Sequence, residues 1–242
     1  MTTATLTKQS RKSRVPEPPF RDGPLDFCPP TFFMPAPMSL DQFRQWTYSD
    51  DFPKTGVIAY IGKEIFIDMS PERLRSHGSV KTEVCTVVNG LVRKKKSGKF
   101  YCDRARLAHV AAEISNEPDG LFAKWASFKN GKIRLVPTKK GDDYIELEGT
   151  PDWILEVVSP GSVGKDKRLL RKRYHRAGIG EYWLIDARGK EVDFQILIHG
   201  NDVYEPAESD GEWQASKVFG KKFRLRRIKD ELGDVDYQLD VK

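Results

Sequence analysis

Residues 150–162 read TPDWILEVVSPGS. Side chains of a strand alternate between two faces. Trp153, Leu155 and Val157 therefore share one face, and Asp152, Ile154, Glu156 and Val158 the other. Apart from the acids both faces are apolar, which predicts a central strand covered on both sides. A carboxylate in the middle of such a strand is costly unless it is paired or bound to a metal. Glu156 is thus the first candidate for chemistry, with a salt bridge to the following basic segment, GKDKRLLRKRYHR, as the structural alternative. Asp152 stands four residues earlier, ~13 Å away along the strand, and a cation with oxygen ligands at ~2.0–2.6 Å cannot take both acids. Asp152 is expected to cap the strand start or accept backbone bonds in the Thr150-Pro151 turn, and Glu156 needs a partner from a neighbouring element.

The chain around this strand has 242 residues, 38% hydrophobic and 31% charged. Residues 1–37 hold little apolar periodicity and much proline and are expected to form a disordered arm. Residues 38–242 are expected to form one domain with a β-rich C-terminal extension over 190–242. The net charge of +6 suits a polyanionic partner without specifying one. Cys28, Cys85 and Cys102 follow no metal or disulfide spacing, which fits reduced thiols in a cytoplasmic protein. No apolar run approaches the ~18 residues of a membrane span, and the N-terminus lacks the apolar stretch of a signal peptide.

Several elements are readable. MSLDQFRQW has Ser39 three residues before Gln42, a capping box at a helix start. GVIAYIGKEIFIDMSP reads as a hairpin about Gly62-Lys63. Val80, Val84, Val87, Val88 and Leu91 form a helical stripe. DKRLLRKRYHRAG predicts a second helix ending at Gly178, and EYWLID and KEVDFQILIHG predict strands. Trp125, Trp153 and Trp183 are expected in the core. The order is a mixed α/β (α+β) layout, without the regular βαβ alternation or glycine-rich loops of nucleotide-binding folds.

A partner for Glu156 lies in NEPDGLFA. If GLFAKW pairs beside WILEVV, Asp119 stands opposite Glu156; the plainer reading of Pro-Asp-Gly is a turn. PDG, then GTPDWILEVVSPGSVGKDK with Pro151, Asp152, Glu156, Val157, Ser159 and Asp166, then YHRAGIGEYWLID with Tyr174, Gly178, Glu181, Tyr182, Trp183 and Asp186, together resemble the Uma-two family of restriction-type endonucleases in the PD-(D/E)XK nuclease superfamily. IGKEIFIDMSPE followed by His77 resembles the family's upstream segment, and the likeness spans about residues 39 to 200.

The resemblance implies a restriction-endonuclease-like core, a central mixed β-sheet flanked by helices. It implies hydrolysis of DNA phosphodiesters with Mg²⁺ or Mn²⁺, Asp119 and Glu156 being the metal-binding acids. The superfamily lysine two residues after the second acid is replaced here by Val158, and a second expected position is Leu170. The resemblance then leaves Lys165, favoured because it lies near the helix start beside Asp166, with Lys167 and Lys172 as alternatives. His77 and Glu83 are supporting candidates, each more ordinary as a structural or surface residue. Arg168, Arg171, Lys172, Arg173 and Arg176 are candidates for tracking a DNA backbone, although charge runs on helices are usually solvated faces. A nuclease, an idle nucleic-acid-binding protein of the same fold, and a protein whose buried Glu156 is structural are the three readings. A homodimer suits the first, since cutting both strands favours two-fold symmetry.

Overall fold

A computed structural model describes residues 31–242. Cys28 and residues 1–30 of the expected arm lie outside them. The end of that arm departs from expectation: Thr31–Pro35 is a strand, β1. It pairs antiparallel with a later strand, setting Phe33 opposite Phe66. That aromatic cross-strand pair stabilises an edge that its proline-rich flanks conceal.

Helix α1 (Leu40–Thr47) begins at the expected capping box, in which Ser39 and Gln42 satisfy each other's backbone N–H groups. The hairpin follows as β2 (Val57–Ile61) and β3 (Glu64–Asp68). A π-helical turn, Leu74–Gly78, leads into α2 (Ser79–Lys95). Val80, Val84, Val88 and Val92 of α2 are buried together, each worth roughly 1.5–3 kcal/mol of burial. Val87 and Leu91 of the expected stripe are only partly covered.

Short strands come next: β4 (Gly98–Cys102), β5 (Leu107–His109), β6 (Ile114–Asn116) and β7 (Gly120–Lys124). After α3 (Trp125–Lys129) run β8 (Ile133–Pro137), β9 (Tyr144–Gly149) and β10 (Trp153–Val157), the strand of the opening run. A second π-helical turn, Lys165–Leu170, continues as α4 (Arg171–Arg176). Gly178 beyond it has φ +71°, the left-handed position that ends helices and that glycine occupies without strain. Then come β11 (Glu181–Asp186), β12 (Asp193–His199), β13 (Tyr204–Pro206), β14 (Ser209–Asp210), β15 (Trp213–Ser216), β16 (Lys221–Lys229) and β17 (Val235–Val241).

The strands form three sheets. A seven-stranded sheet has the order β1-β3-β2-β6-β5-β9-β8, a six-stranded sheet β13-β12-β11-β10-β7-β4, and a four-stranded sheet β14-β15-β16-β17. In the six-stranded sheet β10 lies parallel to β11 and antiparallel to β7. The sheet is therefore mixed, and β10 is central. The predicted faces of β10 separate cleanly. Ile154 and Val158 pack with Leu170 and Tyr174 of the second helical segment and with residues of the seven-stranded sheet, such as Phe66 and Ile114. Trp153, Leu155 and Val157 pack with the α2 valines and, beyond them, Phe223 and Leu239 of the four-stranded sheet. Trp153 and Trp183 are core residues, but Trp125 is exposed. Its indole N–H donates to the Lys96 carbonyl at the end of α2, a bond that holds the ring at the surface.

Among the described residues no helix is long and apolar enough to cross a membrane.

Candidate functional site

The pairing of β7 with β10 sets Gly120 opposite Leu155. One step further along this antiparallel register, Asp119 stands beside Glu156, on the strand pairing the sequence suggested. Both acids line a cleft of about 770 Å³. One wall is the face of the seven-stranded sheet that carries Thr31, Phe33, Val57, Phe66 and Asp68. The other comes from the turn before α2, from α2 itself and from the β4–β5 turn. The loop after β10 closes one end. There Gly161 approaches Thr31 so closely that an added Cβ would fall 2.2 Å from Thr31 Oγ1, so this Pro-Gly is a contact requirement as well as a breaker.

Glu156 is 2% exposed. Its Oε1 accepts from the Tyr174 hydroxyl at 2.5 Å, and Asn116 donates to the Tyr174 oxygen at 2.6 Å. Its Oε2 lies 3.3 Å from Lys165 Nζ. Lys165 also meets Asp166 Oδ1 at 2.6 Å, and its ammonium stands 5.6 Å from the centre of the Phe66 ring. Asp166 is held in turn by the Ser162 hydroxyl. Burial, together with the like charges of Asp166 and Asp119, pushes the Glu156 carboxyl up to about 8 against the opposing pull of Lys165. Burial works to discharge Lys165, but Asp166 and Glu156 overcome it, and the ammonium is held more firmly than usual.

Asp119 sits differently. Its Oδ2 accepts the Val157 backbone N–H at 2.7 Å and lies 3.5 Å from His77 Nε2. Its Oδ1 is 3.9 Å from Lys81 Nζ. Burial alone would raise this carboxyl, yet His77, the Val157 N–H and Lys81 bring it below the usual range. His77 Nδ1 is 2.8 Å from Glu72, which also meets Lys81 at 2.8 Å. Burial opposes charging of His77, but Asp119 and Glu72 prevail and lift it to about 9.

Of the three candidate lysines, Lys165 is the one that reaches Glu156. Val158 is buried, its N–H given to the Ile185 carbonyl, and Leu170 is wholly in the core. Lys167 turns the other way, to Asp186 at 2.7 Å and Asp193 at 3.7 Å. Lys172 is exposed. Of the residues given supporting roles, only His77 is in the cleft. Asp152 is engaged one strand away, accepting from the Lys124 N–H and the Ser127 hydroxyl, both at 2.7 Å. Glu83 lies on the far side of α2 and accepts the Leu239 N–H at 2.8 Å.

The arginines of the second helical segment do not line the cleft. Arg171 donates to the Tyr204 carbonyl at 3.2 Å. Arg173 and Arg176 both pair with Glu113, at 3.1 and 3.7 Å. Arg168 is exposed. Positive charge at the cleft comes instead from Arg73, His77, Lys81 and Arg104, besides Lys165. Arg73 and Arg104 lie in irregular segments, where no periodicity marks them. Lys81 could have been found as the residue one helical turn after His77. Glu181, part of the EYW motif, is structural: its buried carboxylate accepts the Trp183 indole N–H and the N–H groups of Lys217 and Val218.

The residues that could hold a divalent cation are Asp119 and Glu156. Asp119 and Glu156 offer hard oxygen donors side by side, Asp119 already beside His77 and Lys81 and Glu156 beside Lys165. Among the described residues no group of three or more His, Cys, Asp or Glu side chains is placed to hold a metal ion. A pair of carboxylates is how Mg²⁺ is commonly held, the other positions going to water and phosphate oxygens.

A family model described as "Uma2: Putative restriction endonuclease" matches residues 40–227. No curated protein matches the chain. Among solved structures, a "putative nuclease belonging to DUF820" from Anabaena variabilis is 19% identical, with a TM-score of 0.55 over 76% of this chain and 92% of that one. At that identity the likeness speaks for the fold.

Proposed function

Since the chain belongs to the Uma2 restriction-endonuclease family, we propose that it hydrolyses DNA phosphodiesters as a Mg²⁺- or Mn²⁺-dependent endonuclease. The observation that carries this reading is the convergence of Asp119, Glu156 and Lys165 in one cleft from β7, β10 and the following turn. Asp119 and Glu156 would hold the cation, which when bound supplies an activated water and neutralises phosphate charge.

The chain's own groups divide the remaining work. Lys165, held in its charged form, stabilises the negative charge that grows on the phosphate oxygens as water adds to phosphorus and the ester bond breaks. Its raised pKa argues for this part rather than for that of a general base. Tyr174 occupies one oxygen of Glu156 and leaves the other turned to Lys165. The Val157 N–H and protonated His77 hold Asp119 in place and keep it ionised. The same reading has the protein work in the cytoplasm, in keeping with two unpaired thiols, Cys85 and Cys102. As a homodimer it could cut both strands of a duplex.

The test is cleavage of DNA with Mg²⁺ or Mn²⁺ by the wild type, Asp119→Asn and Glu156→Gln. Each variant is expected to lose on the order of 10³-fold in rate, the scale of removing one preorganised charge-stabilising group. Full cleavage by either variant would overturn the assignment. A wild type that binds DNA with a steep salt dependence and never cuts it would instead be an idle nucleic-acid-binding protein on this fold.

A further inference from the structure

The two walls of the cleft differ in chemistry, and the difference bears on what enters. One wall carries Phe33, which is 38% exposed, and Val57, 37% exposed, beside the buried Phe66 ring. Phe33 packs on Phe66 with ring centroids 4.9 Å apart. Phe66 faces the Lys165 ammonium, which meets Glu156. An uncovered aromatic side chain therefore stands two side chains away from the carboxylate floor. The carboxylates on this side are both engaged, Asp68 by the Thr31 hydroxyl and the Ser70 N–H at 2.9 Å, and Glu117 by Arg106.

The opposite wall is mixed with an excess of positive charge: Arg73, His77, Lys81 and Arg104 stand beside two acids, Glu72 and Asp103, both paired with Lys81. His77 and Lys81 are tied to Asp119 and Glu72. Arg73 is exposed at the rim, and Arg104 reaches the Lys54 carbonyl at 3.3 Å near the mouth. Neither arginine has an ion-pair partner among the described residues.

A duplex presents phosphates on its outside and keeps its base faces stacked inside, so an aromatic wall has nothing in it to meet. It also has to bring a phosphate to an acid that is 2% exposed, at the floor of a cleft whose 770 Å³ is the size that encloses a small molecule. A single strand offers a base face on one side and a charged backbone on the other. Sites for single strands combine these two surfaces, aromatic side chains for stacking and a basic groove for the backbone.

Building on the nuclease reading, we propose that this cleft takes single-stranded DNA, or an unpaired stretch within a duplex, with a base stacked on Phe33 and its phosphates along Arg73 and Arg104.

The test separates binding from cleavage. Fluorescence anisotropy of the full chain carrying Glu156→Gln, with Ca²⁺, compares oligo-dT, the RNA counterpart oligo-rU, a blunt duplex, and a duplex with a central unpaired bubble. The expected result is at least tenfold tighter binding of oligo-dT and the bubble than of the blunt duplex. Adding Phe33→Ala should weaken oligo-dT binding about 5- to 150-fold, the range of one lost stacking contact, and leave duplex binding unchanged. Phe33→Trp should restore it. Arg104→Ala should lower the salt slope for oligo-dT by about 0.7. Thermal melting checks that the Phe33 variants fold. Equal or tighter binding of the blunt duplex, or an equal effect of Phe33→Ala on both substrates, would overturn the proposal, as would absence of binding. Tighter binding of oligo-rU than of oligo-dT would overturn the choice of DNA. Single-strand binding that depends on Phe33 in a wild type that never cuts would uphold this inference and overturn the nuclease reading.

Discussion

The α2 side of the cleft and the α4 side each hold one acid, and they treat it in opposite ways. On the α2 side Asp119 is surrounded by donors: a backbone N–H, a protonated histidine and a lysine, all of which favour its anion. On the α4 side Glu156 is buried beside another acid, with one lysine shared between them, and its proton is retained up to about 8. The first acid is an anchor already ionised. The second ionises fully only above about 8 unless more positive charge arrives, so a cation bound there would be linked to its protonation. Two adjacent carboxylates that titrate far apart are a sign of different tasks.

Lysine replacements test this contrast most strongly. Lys165→Met removes the cation that pairs with Glu156 among the described residues and should lower the cleavage rate by about 10²- to 10³-fold. Lys81→Met on the other side removes one of three supports of Asp119 and should cost about tenfold. Equal losses, measured as kcat on one oligonucleotide, would erase the distinction. Next in size is Tyr174→Phe, which frees one oxygen of Glu156 without changing the volume of the side chain much. A loss of about 10- to 100-fold in Mn²⁺ affinity is expected, the usual scale for a group that orients a ligand; unchanged affinity would mean the hydroxyl is only filling space.

The pH dependence of stability separates the two sides more gently. The Glu156 pKa is raised in the fold, from 4.5 to about 8. Its neutral form therefore contributes stability fully below 4.5, and that contribution is lost as pH rises through about 8. Glu156→Gln should flatten this alkaline decline by about 3 °C in melting temperature, or about 1 kcal/mol for a domain of this size. The Asp119 pKa is lowered below 3.8, so its contribution is present above that value and fades as pH falls further. Asp119→Asn should destabilise the protein at neutral pH and flatten the acid limb instead. Identical pH profiles for the two variants would refute the difference in environment. The smallest effect belongs to Lys172→Ala, an exposed residue on the outer side of α4: stability within about 0.5 kcal/mol of the wild type and unchanged cleavage.

Much of this centre was legible because strand alternation is a rigid rule. Which residues of β10 face which core, and that Asp119 could stand beside Glu156, follow from period two and one pairing. Lys165 was reachable through the resemblance once Val158 was seen to be apolar. The sequence could not show that Arg171, Arg173 and Arg176 spend their charge on a carbonyl and on Glu113, because a charge run reads the same whether solvated, paired or bound to DNA. The cleft's own arginines were illegible for a related reason: turns have no period, and Arg73 and Arg104 are brought together only by the fold. Thr31–Pro35 is hard to read as a strand because proline content outweighs the alternation of a five-residue edge strand.

Glu83 does no chemistry in the cleft, yet its bond to the Leu239 N–H fastens the last strand of the chain to the middle of the helix that carries Lys81. The four-stranded sheet touches none of the acids and still braces the wall behind one of them. A chain ending near residue 208 would retain every cleft residue and lose that brace. The length needed to write the active site and the length needed to hold it rigid are therefore different, and the final thirty-odd residues belong to the second.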